Sequence, residues 1–149
     1  MLATVVFATI TGNNEDVADI ITEALEDADL TVQEVEISQA DPADLLKSDI
    51  TIIVPYTYDE GALPEEGLDY FDDLSELDLT GKVFGVAGSG DVFYGDDYGV
   101  AVDRFDERLA STGAIRGADK IKINLAPDKD DIKHLDQFAN DIIAKATAL

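Results

Sequence analysis

Residues 3–28 read ATVVFATITGNNEDVADIITEALEDA. ATVVFA (3–8) is an apolar run rich in β-branched side chains, the composition of a strand buried on both faces. From Val17 onward, Ile20, Ile21, Ala24, Leu25 and Ala28 recur at helical spacing with acids between them, so one face of a helix turns inward. The junction, TITGNN, holds a glycine, two threonines and two asparagines but no lysine or arginine. A strand that passes through a glycine turn into a helix is the first half of a βαβ unit. Taken alone, the junction is compatible with a phosphate cradle built from backbone N–H groups, or with an ordinary cap supplied by Thr11 or Asn13. It is not a Walker loop, having no Gly-Lys-Ser/Thr, and it lacks the three-glycine spacing of a dinucleotide fold.

The alternation continues along the chain. TVQEVEI (31–37) reads as an edge strand, while DITIIVP (49–55) and KVFGVAG (82–88) read as buried strands and KIKINL (120–125) as a fifth. Helical spacing covers 66–77, 99–112 and the closing stretch DIKHLDQFANDIIAKA. Five strands alternating with helices predict an α/β three-layer sandwich, with a five-stranded parallel sheet in order 2-1-3-4-5. Neither a linker nor a repeat interrupts the pattern, so residues 1–149 are expected to form one domain. In such a sheet a ligand sits at the carboxyl ends of strands 1, 3 and 4, beside the point where the strand order reverses.

Composition narrows the chemistry. The chain has no cysteine, which excludes disulfides, thiolate catalysis and cysteine-held iron–sulfur or zinc sites. Any redox role therefore needs a borrowed cofactor. A formal charge of -23, from Asp+Glu 33 against Lys+Arg 10, repels nucleic acid and anionic membranes and favours partners with basic docking surfaces. Asp outnumbers Glu by more than two to one, a composition that equally suits a solubilising or salt-adapted surface. The start, MLATVVFATITG, has no basic segment or small-residue cleavage site, so a cytoplasmic protein is expected.

Two further loops follow the strands that flank the switch point. PYTYDEGALP (55–64) places Tyr56 and Tyr58 after strand 3, and GSGDVFYGDDY (88–98) places Phe93, Tyr94 and Tyr98 after strand 4. Aromatics at neighbouring strand ends can face each other across a planar ring, which makes a planar heterocycle bearing one phosphate the ligand these loops suggest.

TITGNNE, PYTYDEGALP and GSGDVFYGDDYGVAVD together resemble the three flavin loops of the flavodoxins, in the same order and spacing, with similarity over essentially the whole chain. The fifth strand runs into its helix without a long insertion, as in the short-chain members. The resemblance implies non-covalently bound FMN and a low-potential one-electron carrier rather than an enzyme, acting as a monomer between a flavin or NADPH-linked reductase and acceptor enzymes. It implies that Thr9, Ile10, Thr11, Gly12, Asn13 and Asn14 hold the phosphate. Thr57 would approach the phosphate or ribityl chain, Tyr58 would flank the dimethylbenzene side of the ring, and Tyr94 would be the outer stacking partner. Ser89, Gly90 and Asp91 would meet the pyrimidine edge through backbone groups. Within the same fold, a flavodoxin-like protein dedicated to one enzyme, such as a ribonucleotide-reductase activator, or an FMN-dependent catalyst is the alternative.

Two positions depart from the family pattern. Asn14 stands where threonine is usual, replacing a hydroxyl by a carboxamide. Asp59 stands where glycine is usual, at a peptide that in the family flips on reduction to bring its carbonyl to the flavin N5. Glycine reaches the left-handed region freely, whereas aspartate carries a modest penalty. A phosphoryl-accepting receiver domain is disfavoured, because Pro55 and Asn124 with Leu125 occupy the places of its aspartate and lysine. The single histidine, His134, lies among charges on the last helix and reads as a solvated residue, as do the pairs Asp96–Asp97 and Asp130–Asp131.

Overall fold

Each of the five apolar runs becomes a strand in the computed structural model, which describes residues 1–8, 12–55, 65–90 and 100–149. The strands are β1 (Leu2–Phe7), β2 (Thr31–Glu36), β3 (Ile50–Val54), β4 (Val83–Gly90), β5 (Ile115–Arg116) and β6 (Ile121–Asn124). The helices are α1 (Asn13–Asp27), α2 (Glu65–Leu74), α3 (Val100–Ser111) and α4 (Lys129–Thr147). The sheet runs β2-β1-β3-β4, all parallel, and its last position is shared. β5 pairs with the start of β4 (Val83 with Ile115), and β6 with its end, from Ala87 with Ile121 to Gly90 with Asn124. The order 2-1-3-4-5 is thus the observed one, with two short pieces where one strand was expected. Gly117, Ala118 and Asp119 supply no β-branched side chain between those pieces, and the edge breaks there.

Alternation within the strands divides the core in two. Val5, Ile52, Ile21, Leu25, Leu135 and Phe138 bury one face of the sheet against α1 and α4. Val6, Ile53, Phe84, Leu74, Phe105 and Leu109 bury the other against α2 and α3. Two short 3₁₀ turns, Ile37–Gln39 and Pro42–Lys47, replace a long helix between β2 and β3. Their first turns are capped by Glu36, which accepts from Ser38 N–H, and by Asp41, which accepts from Ala43 N–H at 3.0 Å.

Few cations are available, and the described ion pairs gather along the seam between α3 and the split edge. Arg116 makes a two-pronged pair with buried Asp106, Nε to Oδ1 at 3.0 Å and Nη2 to Oδ2 at 2.6 Å. Partial burial opposes ionisation of Asp103, but hydrogen bonds from Lys120 and Lys122 outweigh it and hold its pKa below the ordinary carboxylate value. Asp131 forms a reciprocal capping box with Asp128 at the start of α4, and His134 is exposed. The pair Asp96–Asp97 lies outside the described residues.

Two features of this packing make testable demands. β4 extends beyond its last residue paired with β3 (Val86 with Ile53), and Gly88 then passes the carbonyl of Pro55. A Cβ at Gly88 would lie 2.6 Å from Pro55 O and 2.9 Å from Val102 Cγ2. Gly88→Ala is therefore expected to destabilise the fold by about 1–3 kcal/mol in a urea titration, the usual scale of overpacking a filled site. On β2, burial pushes the Glu34 carboxyl up to about 7, with a hydrogen bond and repulsion from Asp19 adding to the effect while Thr22 opposes it. In the unfolded chain the group ionises near its ordinary value of 4.5, so the folded state binds the extra proton and stability falls as pH rises through about 7. Glu34→Gln should show a smaller fall in Tm than the unaltered chain between about pH 5 and about pH 8.

Candidate functional site

The carboxyl ends of β1, β3 and β4 lie side by side, and the N-terminus of α1 rises beside them. The chain enters α1 through Gly12, whose φ of 92° is left-handed. A Cβ there would meet nothing within 4 Å, so the backbone angle rather than crowding calls for glycine. Gly12 is the N-cap and brings no side chain of its own to the capping position; its carbonyl accepts from Asp16 N–H at 3.1 Å. The first-turn N–H groups therefore carry the positive end of the helix dipole with no side-chain oxygen in the capping position. Glu15 and Asp16 stand in the same turn, where they favour the helix but weaken its pull on an anion.

Asn14, on the first turn of α1, is completely buried. Its Nδ2 donates to Ala8 O at 2.7 Å and to Pro55 O at 2.8 Å, and its Oδ1 accepts from Ser89 N–H at 2.7 Å. Two carbonyls and one N–H around the carboxamide allow only this orientation of its oxygen and nitrogen. A single side chain thus joins the ends of three strands. Ser89 is held from its other side as well, its hydroxyl donating to Leu125 O, while Leu125 N–H donates to Gly90 O at 2.8 Å. Leu125 reaches this arrangement at a φ of 59°, unusual for a side chain of its size.

Of the residues singled out in the sequence, Gly12, Asn13, Asn14, Ser89 and Gly90 are brought to this edge. Thr9, Ile10, Thr11, Thr57, Tyr58, Asp59, Asp91 and Tyr94 lie outside the described residues. The resemblance places Asn14 among the phosphate residues, and both of its side-chain N–H groups are donated to strand-end carbonyls. Ser89 is similar, with its N–H committed to Asn14 and its hydroxyl to Leu125. Sequence reading overlooked Ala8, Pro55 and Leu125 here, because each contributes a backbone carbonyl that leaves no mark in residue type.

The arrangement fits a phosphate monoester. A helix N-terminus reached through a left-handed glycine can receive an anion through neutral N–H donors without a cationic side chain. Among the described residues no cluster of three or more His, Asp or Glu could hold a metal ion, and no helix is long and apolar enough to cross a membrane.

Known proteins match this chain along nearly its full length. The family model described as flavodoxin matches residues 5–136. A protein named "Probable flavodoxin 1" from Bacillus subtilis (strain 168) is 34% identical over 145 residues, which cover 97% of this chain and 91% of the relative. The flavodoxin of Maridesulfovibrio salexigens is 33% identical, covering 86% of this chain and 89% of its own. Among solved structures, a short-chain flavodoxin associated with a PDU bacterial microcompartment superposes with a TM-score of 0.96 at 53% identity, covering 98% of this chain and 99% of that one. The flavodoxin of Streptococcus pneumonia TIGR4 gives 0.94 at 46% identity, covering 97% and 99%. The chain belongs to the flavodoxin family, electron-transfer proteins that bind FMN.

Proposed function

We propose that this chain is a low-potential one-electron carrier with non-covalently bound FMN, passing electrons from a flavin or NADPH-linked reductase to acceptor enzymes. The observation that carries the reading is the N-terminus of α1, entered through a left-handed glycine, beside the joined ends of β1, β3 and β4, in a chain of the flavodoxin family. The flavin supplies the redox chemistry, and the protein sets how readily each electron is accepted.

The phosphate is held by backbone N–H groups of residues 10–14, with the hydroxyls of Thr9 and Thr11 and the carboxamide of Asn13. Asn14 contributes its backbone N–H alone. In this reading Thr57 would serve the phosphate or ribityl chain, Tyr58 and Tyr94 would flank the ring, and the peptide of Asp59 would serve the flavin N5 edge. The pyrimidine edge falls to Gly90, Asp91 and the carbonyl of Ser89, since the Ser89 N–H is already taken.

Charge sets the potential. Aromatic side chains on either side of the ring would exclude water, and a strongly acidic chain opposes any further negative charge placed there, so the second electron would be accepted less readily. About 59 mV corresponds to a tenfold change in a one-electron equilibrium, so modest differences in binding move the potential appreciably. The same acidic surface steers the carrier toward basic rims on its partners, which suits brief encounters.

Two measurements test this reading. Anaerobic reductive titration of the FMN-loaded protein, followed by its visible spectrum, is expected to give a second potential below that of free FMN. A second step as easy as in free FMN would remove the low-potential assignment, and a protein that refuses FMN altogether would remove the carrier. Raising the salt from about 10 mM to about 150 mM shortens the screening length from roughly 30 Å to roughly 8 Å and so relieves the repulsion between a dianion and the acidic chain. FMN should bind more tightly across that range, and a dissociation constant that rises steadily with salt would show that long-range repulsion does not govern binding.

A further inference from the structure

We infer that Asn14 is a positioning residue that sets the spacing of the flavin-binding loops, acting through backbone groups rather than on the phosphate. The inference rests on the FMN reading given above. Its three partners, Ala8, Pro55 and Ser89, stand at or next to the points where the chain leaves β1, β3 and β4 for the segments assigned to the flavin. Those partners are 6, 41 and 75 residues away in sequence, so no local turn could fix their separation.

On the side of β4 that faces β3, sheet pairing does not reach this far, although β6 pairs with its other side. The β3–β4 ladder ends at Ile53 with Val86, whereas Ser89 lies three residues further along β4. Its N–H finds the Asn14 oxygen in place of a strand partner. The Pro55 carbonyl also lies beyond the last residue of β3, and it receives an Nδ2 hydrogen from Asn14. Gly88 leaves room for β4 to pass this carbonyl closely. A carboxamide offers two donors and an acceptor on a short stem. A hydroxyl in its place offers one donor, so threonine could join two of these ends through donation and acceptance but could not donate to both carbonyls.

Comparison of FMN with riboflavin separates this role from phosphate binding, because riboflavin has the ring and lacks the phosphate. Dissociation constants are to be measured in phosphate-free buffer for the unaltered chain, Asn14→Ala and Asn14→Thr, with far-UV circular dichroism verifying that each apoprotein is folded. Asn14→Ala should weaken FMN and riboflavin by a common factor of about ten or more, given roughly 1 kcal/mol per lost hydrogen bond, leaving the ratio of the two constants unchanged. Asn14→Thr should weaken riboflavin as well. A loss confined to FMN would make Asn14 a phosphate ligand and overturn the inference, as would unchanged affinities for both flavins.

Should Asn14→Ala fail to fold, the unaltered apoprotein still gives a reading. The Ser89 amide and the Asn14 carboxamide protons should exchange slowly by NMR in the absence of any flavin, and rapid exchange of both would overturn the inference. If the unaltered chain bound neither flavin, the FMN reading itself would fall. Normal binding by the unaltered chain with unaffected variants would instead remove the positioning role alone.

Discussion

Parallel strands that end side by side leave backbone carbonyls and amides facing one another with no ladder to satisfy them, and burying such groups unpaired is costly. The carboxamide of Asn14 resolves this at the carboxyl edge of the sheet by taking two carbonyls and one amide at once. Everything placed beyond that edge depends on the result. The entry into α1, the close passage of Gly88 and the second tether of Ser89 to Leu125 all presuppose strand ends held at fixed separations. Stiffness of this kind suits an electron carrier, since a cofactor site that shifts little between states adds little reorganisation to each transfer.

The charge of the chain is handled by concentration. Arg116, Lys120 and Lys122 converge on Asp106 and Asp103, while Arg104 and Arg108 lie over the ring of Phe71 at 5.1 and 4.0 Å from its centre. Arg116, Lys120 and Lys122 thus hold the split edge of the sheet to α3, and Arg104 and Arg108 join α3 to α2. None of these five lies at the described start of α1, so an anion bound there would rely on neutral donors rather than on a cation. A site built from neutral donors in a strongly negative molecule discriminates by geometry more than by charge.

Most of the fold could be read from the sequence because buried parallel strands and amphipathic helices carry distinct periodicities. ATVVFA and DITIIVP gave strands to within a residue or two, and the spacing of Val17, Ile21 and Leu25 gave the inward face of α1. The break between Ile115–Arg116 and Ile121–Asn124 escaped because a two-residue strand has no period to detect. The 3₁₀ turns between β2 and β3 escaped for a similar reason, being too short to show a helical face. At the site, glycine and the asparagines marked the entry to α1. The work of Asn14 was hidden, since its partners are main-chain atoms of residues distant in sequence.

The two borders of the sheet have a further consequence. β2 runs along one side with Glu34 and Glu36 in its length, and the opposite side is divided into strands of two and four residues. An exposed border normally invites another chain to add a strand, and carboxylates and interruptions are the common ways of refusing it. Repulsion between acidic groups fades when salt is high, but an interrupted strand does not fade with it. The borders of the sheet are thus blunted by acidic side chains on one side and by an interrupted backbone on the other, local devices distinct from the net charge of the chain.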